Sequence, residues 1–282
     1  MSVIMFYSYK GGSGRTVAAA NVAAALTKLG RRTTIIDLDF EAPGLHHVFG
    51  IEKTDQFKQG LGIQHYLRGD IGLDEIENHV AIDLLSVSPY DLWPVPKGAR
   101  LNYIMASPRV ANVNSTDPQV GIRMKNLVDS LEGDRGDDFV VIDAASGIRD
   151  SYSIAADVSK RMLIFFRWTR QHVEGTLQVV RYQKRLEEFN RAIPYNLVAS
   201  ASPDQEEISR IPDETERAVL LSVKEQIREK IERTLEQNEA TFPHIFEEIP
   251  ELVRLKWQES ITVFDQDESP YERLAQKLLD LP

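Results

Sequence analysis

At 282 residues, with 42% apolar and 27% charged residues, the chain has the size and balance of a globular protein with a well-filled core. No apolar run approaches the roughly 20 residues that span a bilayer, and the start Met1-Ser2-Val3-Ile4 lacks the basic region of a signal peptide. The absence of cysteine excludes disulfides and thiolate chemistry and fits a cytoplasmic location.

The formal net charge of -10 is unevenly placed. From Asp204 onward there are 20 acidic and 10 basic residues, whereas the first 203 residues balance. That argues against nonspecific DNA binding, which needs a basic patch, although Arg181, Lys184 and Arg185 are close together on one predicted helix. The six histidines are scattered apart from His46-His47, which is too little for a metal site.

In chain order, Val3 to Ser8 reads as a short buried strand. A glycine loop follows, and Thr16 to Leu29, with six alanines and neither proline nor glycine, reads as a helix packed closely on a sheet. Gly30 ends it. Thr33 to Ile36 is a second buried strand running into Asp37-Leu38-Asp39, which completes a βαβ unit and predicts a parallel sheet with crossover helices. A short helix is expected near Ile63 to Leu67, and a strand over Ala81 to Val87. Ser88 to Gly121 holds five prolines and reads mostly as loop. Beyond it come a helix over Ile122 to Leu131, a strand Phe139 to Ile142 ending in Asp143, and a strand Arg161 to Phe166. A helix over Val173 to Phe189 and a strand Tyr195 to Ala199 follow. The acidic part adds a long helix Glu214 to Gln237, a strand within Phe242 to Pro250, and a terminal helix Tyr271 to Leu279. No repeat or linker divides the chain, so residues 1–282 read as one domain, with 204–282 as its acidic C-terminal part.

The stretch Tyr9-Lys10-Gly11-Gly12-Ser13-Gly14-Arg15-Thr16 lies between a predicted strand and helix. Glycines allow backbone N–H groups to turn inward together, and the helix N-terminus adds its dipole, so phosphate is the natural ligand. Thr16 is placed to offer a hydroxyl to Mg²⁺. A dinucleotide fingerprint competes: Gly12 and Gly14 have its first spacing, but Val17 stands where its third glycine belongs. The standard phosphate loop also fails at two positions, with Tyr9 for its first glycine and Arg15 for its lysine. The paired carboxylates Asp37 and Asp39 at the end of the second strand, and Asp143 at the end of a later one, lie where strand ends meet ligands in a parallel sheet.

Taken together, these residues resemble the deviant Walker A loop, Lys-Gly-Gly-x-Gly-Lys-Thr/Ser, of the ParA/MinD superfamily. The form ending in Arg-Thr is similar to a subgroup of ParA-like proteins. The resemblance implies a three-layer α/β P-loop NTPase fold, a mostly parallel central sheet flanked by helices, and here a helical C-terminal elaboration. It implies ATP and Mg²⁺ as ligands, with Gly11, Gly12, Ser13, Gly14, Arg15 and Thr16 around the phosphates. Lys10 matches the signature lysine that reaches the nucleotide of a partner subunit in an ATP-promoted homodimer. Asp37-Leu38-Asp39-Phe40-Glu41-Ala42-Pro43-Gly44 resembles switch I, in which Asp37 would support Mg²⁺ through water and Asp39 would position the attacking water. Asp143 resembles the Walker B aspartate, and Ala144-Ala145-Ser146-Gly147-Ile148 resembles switch II, with the Gly147 amide approaching the γ-phosphate. Ile249-Pro250 resembles the segment that flanks the base. Val198-Ala199-Ser200 lacks the asparagine that relatives place there, and Asn196 falls earlier in the strand. Arg149 and Asp150 are expected either to form a local ion pair or to contact a partner.

The reading that follows is a Mg-ATP-binding dimeric switch with slow hydrolysis that acts on a protein partner. Its rival is a non-hydrolysing, nucleotide-gated interaction or scaffold protein, favoured by Arg15 and by the lack of proline near Ala145. Some relatives with this loop type are tyrosine kinases with a terminal tyrosine cluster, whereas the last 40 residues here hold only Tyr271. Stable membrane attachment is disfavoured, because the terminal helix is short and near neutral.

Overall fold

The computed structural model describes residues 1–87, 89–110, 113–202, 208–209, 211–238, 245–252, 255, 259–265 and 269–281. Eight strands form one sheet: β1 (Ser2–Tyr7), β2 (Arg32–Leu38), β3 (Ala81–Asp83), β4 (Arg100–Ile104), β5 (Phe139–Ala144), β6 (Arg161–Phe166), β7 (Tyr195–Ser202) and β8 (Ile245–Pro250). Their spatial order is β3-β4-β2-β5-β1-β6-β7-β8. Every pairing is parallel except that of the short edge strand β3 with β4. The three central strands, β2, β5 and β1, are buried along almost their whole length, and β1 and β5 are largely apolar, as a sheet covered on both faces requires. Helices flank this sheet in a three-layer α/β P-loop fold, and the C-terminal part adds further helix.

The first of the helices, α1 (Arg15–Lys28), follows β1 directly, and all of it from Val17 to Thr27 is buried. Alanines allow this close approach of helix to sheet. Smaller helices α2 (Leu45–Phe49), α3 (Asp55–Gln59), α4 (Ile63–Arg68) and α5 (Leu73–Glu75) fill the connection to β3. Beyond them lie α6 (Pro118–Gly133), α7 (Asp150–Ala156), α8 (Arg170–Glu187), α9 (Glu214–Gln237) and α10 (Pro270–Leu279). Helix starts carry the expected chemistry. Asp117, Asp213 and Ser269 accept backbone N–H groups, and Pro118 and Pro270 occupy the first turns of α6 and α10.

The C-terminal part is tied to α1. The side-chain amide of Asn21, fully buried, donates to the carbonyls of Val17 (2.9 Å) and Ser260 (3.0 Å), and its oxygen accepts from the backbone N–H of Thr262 (2.7 Å). Lys28 donates to the carbonyl of Val263 and pairs with Glu272 of α10 at 2.7 Å.

Two sequence expectations are corrected. Ser88 to Gly121, read as loop, contains β4, which hydrogen-bonds to β2 and sits inside the sheet. Arg100 and Asn102 interrupt its apolar pattern, yet Asn102 is buried. The strand expected over Ala81 to Val87 ends at Asp83, whose carboxylate caps a single 3₁₀ turn, Leu84–Ser86. The segment 242–244 of the last expected strand lies outside the described residues, as do 253 and 254.

Candidate nucleotide site

The loop 8–14 leaves the C-terminal end of β1, the strand flanked by β5 and β6 in the middle of the sheet. Gly12 (φ 75°) and Gly14 (φ 73°) adopt left-handed backbone, which side chains with a β-carbon resist. Gly14 is the N-cap of α1, with no side-chain cap and no acidic residue in the first turn, so the helix N–H groups face the loop. Tyr9, at the place of a first glycine, turns its ring away onto α8. A β-carbon built on Gly175 would fall 2.2 Å from Cδ1 of that ring. Ser200 of β7 supports the loop from below by donating its hydroxyl to the carbonyl of Ser13.

A cleft of about 360 Å³ opens here, lined by Gly11 to Val17, Asp39, Glu41, Ser146 and Glu259 among others. It shares Gly12, Ser13, Gly14, Val17 and Glu259 with a second cavity of about 180 Å³. Pro250 lies in that second cavity with Arg167, Ser200, Ala201 and Glu251. Ala201 holds a left-handed φ of 47°, unusual for a residue with a side chain. Asn196 does not reach this cavity: it is buried in β7 and accepts from Arg161 at 2.9 Å.

The guanidinium of Arg15, only 5% exposed, points down toward the strand ends. Its Nε donates to Asp143 at 2.5 Å, and its Nη2 to Asp39 at 3.1 Å and to the Thr16 hydroxyl at 3.3 Å. Nη1 donates to the hydroxyls of Ser146 (3.1 Å) and Ser8 (3.4 Å). Thus Thr16, Asp39 and Asp143, brought from α1, β2 and β5, all meet one cation. Asp143 is fully buried, and its Oδ2 has no hydrogen-bond partner among the described residues. Burial pushes its carboxyl above the usual range even though Arg15 acts in the opposite direction.

Asp37 lies beside Asp143 at the end of β2. It is fully buried and is the Cα partner of Asp143 on the neighbouring strand. Its oxygens accept the backbone N–H of Asp39 (2.9 Å) and Leu45 (3.4 Å) and the hydroxyl of Tyr103 (3.5 Å). Burial, then the charge of Asp143, holds its carboxyl well above the ordinary value. Gly147 has φ 81°, and its N–H donates to the carbonyl of Ser8 at 3.1 Å. Lys10 is exposed outside the cleft lining, and its charge together with that of Arg167 contributes to a lowered pKa at His172, after burial.

The expected choice for Arg149 and Asp150 resolves differently for each. Arg149 pairs with Glu41 across the mouth of the cleft, joining the loop after Asp39 to the loop after Asp143. Asp150 accepts from the hydroxyl of Ser115. The residues that sequence reasoning missed are hydroxyls and loop acids: Ser8 and Ser146 around Arg15, Ser200 under the loop, and Glu259. Ser8 stands next to the β1 end, Ser146 and Ser200 stand in segments singled out by the resemblance without these roles, and Glu259 carried no signal.

The donors fit a divalent cation. Two carboxylates and a hydroxyl converge, and an unpartnered buried carboxylate oxygen is the kind of atom a hard cation takes.

The sequence profile of the CobQ/CobB/MinD/ParA nucleotide-binding domain matches residues 4–260. The septum site-determining protein MinD of Synechocystis is 26% identical over 162 residues, 57% of this chain and 52% of that protein. The chain thus spans about half the length of the MinD relatives it matches. In solved structures, a MinC:MinD cell division complex from Aquifex aeolicus matches with a TM-score of 0.67 at 18% identity, over 100% of this chain and 97% of that one. A variant of Cyanothece McdA in complex with ATP matches with a TM-score of 0.69 at 13% identity, over 100% and 97% respectively.

Proposed function

The chain belongs to the family of CobQ/CobB/MinD/ParA nucleotide-binding domains, and on that premise we propose that it is a Mg-ATP-dependent dimeric switch with slow hydrolysis, acting on a protein partner. The observation that carries this reading is the convergence of Thr16, Asp39 and Asp143 on one cation at the foot of a glycine loop. In this reading residues 1–282 work as one nucleotide-binding unit, the loop Gly11 to Thr16 holds the phosphates, and Pro250 flanks the base. Thr16 and Asp143 hold Mg²⁺, with Asp37 supporting it at one remove. The bound metal neutralises charge on the phosphate oxygens.

Asp39 orients water in line with the terminal phosphate. No strong base is required, because phosphoryl transfer depends chiefly on position and charge. The Gly147 amide turns from the Ser8 carbonyl to the γ-phosphate, which moves the loop that bears Arg149. Lys10, exposed beside the loop, crosses to the nucleotide of a second copy. The relatives named for septum siting, and the solved MinC:MinD complex from Aquifex aeolicus, support a protein as the target.

A second reading is favoured by one specific contact. Arg15 binds Asp39, the very carboxylate that would position water, so a nucleotide-gated scaffold without turnover also fits. Calorimetry with ATP and Mg²⁺ tests the shared core of both readings. Saturable binding in the micromolar range or tighter is expected, and a folded protein that takes up no nucleotide at millimolar concentration would sink both. Phosphate release then separates switch from scaffold.

A further inference from the structure

Arginine carries five N–H donors, and five acceptors surround the guanidinium of Arg15: Asp143, Asp39, Thr16, Ser146 and Ser8. Each donor therefore has an acceptor within the chain. In this arrangement none is left for a phosphate, although the position is the one from which a phosphate-loop cation acts. Two of the five acceptors, Asp143 and Thr16, are also the oxygens that would hold a divalent cation, and Asp39 lies beside them. Arg15 and a metal ion thus compete for one set of atoms.

We propose that Arg15 is a resident counter-cation of the metal site that trades places with a divalent ion when nucleotide arrives, so that the chain selects the metal–nucleotide complex over either ligand alone. The proposal rests on the nucleotide reading above. It follows from charge pairing at a buried site. Asp37, Asp39 and Asp143 lie together, and two of them are fully buried. Leaving such carboxylates without a cation is strongly unfavourable, so Arg15 cannot leave them unless another cation takes its place. A metal alone offers that replacement but strands a buried guanidinium without acceptors. Nucleotide alone offers phosphate acceptors to Arg15 but strands the carboxylates. Only the two together satisfy every group. Linkage then requires each ligand to raise the affinity of the other by the same factor.

This device differs from a lysine in the same place. A lysine presents one compact charge and cannot fork onto Asp39 and Asp143 while also donating to three hydroxyls.

Mn²⁺ binding, followed by the loss of the free-ion electron paramagnetic resonance signal, tests the exchange without any turnover. In the parent, Mn²⁺ alone should bind weakly, and ATP should strengthen it by about tenfold or more beyond what the same ATP takes up without protein, within the range of ordinary coupling. Arg15→Ala should bind Mn²⁺ alone about tenfold more tightly than the parent, with ATP adding little. Asp143→Asn in that background should remove the gain, which assigns the ion to this site rather than to surface acids. Arg15→Lys should lie between parent and Arg15→Ala. Should Arg15→Ala fail to fold, Arg15→Lys against the parent on Mn²⁺ alone decides, because ATP itself takes up Mn²⁺. A parent that binds Mn²⁺ equally well with and without nucleotide, or ATP equally well with and without metal, overturns the exchange while leaving nucleotide binding intact. If ATP does not bind at all, the nucleotide reading falls, and the comparison of parent with Arg15→Ala on Mn²⁺ alone still judges the competition.

Discussion

The ring of Tyr9 rests on the bare α-carbon of Gly175, so close that a β-carbon there would lie 2.2 Å from Cδ1 and 2.8 Å from Cγ. The loop therefore has its upstream end pinned to the middle of α8 by an aromatic ring, where a standard phosphate loop has a glycine. Gly175→Ala should gain about 1 kcal/mol of helix propensity and lose about 1–3 kcal/mol to overpacking. The expected net result is a less stable protein with a displaced loop and weaker ATP binding. Tyr9→Ala in the same chain should restore much of the stability. Denaturant titrations of the two single variants and the double variant measure this coupling, and purely additive effects would remove the contact from the argument.

Asp39 and Asp143 share Arg15 but differ in depth, and their variants should separate. Asp39→Ala should lower phosphate release about tenfold or more with ATP affinity largely kept, because water positioning is a transition-state effect. Asp143→Ala should instead weaken Mg²⁺-dependent binding. Single-turnover phosphate release beside calorimetry distinguishes them. Unchanged release in the Asp39 variant would exclude that residue from the reaction.

Lys10 has no part in the lining of its own cleft. Two facing triphosphates repel, and an interface that buries them needs added cations. Light scattering on a gel-filtration column should show the 32.0 kDa chain moving toward twice its mass with ATP and Mg²⁺. Lys10→Ala should bind ATP and remain monomeric. A mass unchanged by ATP, or a Lys10→Ala variant that dimerises like the parent, would rule out the facing dimer.

His46 gives a pH dependence. It is buried in α2, just beyond the run that carries Asp37 and Asp39, and its Nδ1 has no hydrogen-bond partner among the described residues. Burial, then His47, lowers its pKa below 6.5, and Glu52 opposes this only in part. The unfolded chain therefore takes up this proton first as pH falls. The stability contributed by neutral His46 is present above 6.5 and is lost on acidification through the lower folded value. Unfolding free energy should drop as pH falls through 6.5 toward the lower folded value, and His46→Gln should flatten that part of the profile. A profile identical in parent and variant would assign the acid sensitivity elsewhere.

Much of this was legible in the residues because the central strands are rich in apolar or β-branched residues and end in functional groups. Phe139 to Ile142 followed by Asp143, and Thr33 to Ile36 followed by Asp37, read directly into the sheet and its working edge. The strand β4 did not, because Arg100 and Asn102 break its pattern and prolines surround it. Its place is fixed by pairing with β2, which is a long-range fact. The inward turn of Arg15 was equally invisible. A cation in a glycine loop reads as a phosphate ligand, and only the depth of Asp143 and the proximity of Asp39 make the carboxylates its acceptors here. Ser200 and Glu259 come from strands and loops remote in sequence, so no local spacing could have announced them.

The buried amide of Asn21 makes α1 a rod gripped at two points. One end emerges from the glycine loop, and its flank clasps the chain at Ser260 and Thr262, one residue beyond the Glu259 that faces both cavities. Any tilt of the rod as the loop closes would be delivered to that clasp and, through Lys28 and Glu272, to α10. The acidic C-terminal part is thereby coupled mechanically to the loop. Asn21→Leu, which keeps the bulk and drops the clasp, should leave Lys28, through Val263 and Glu272, as the remaining polar tie between α1 and the C-terminal part.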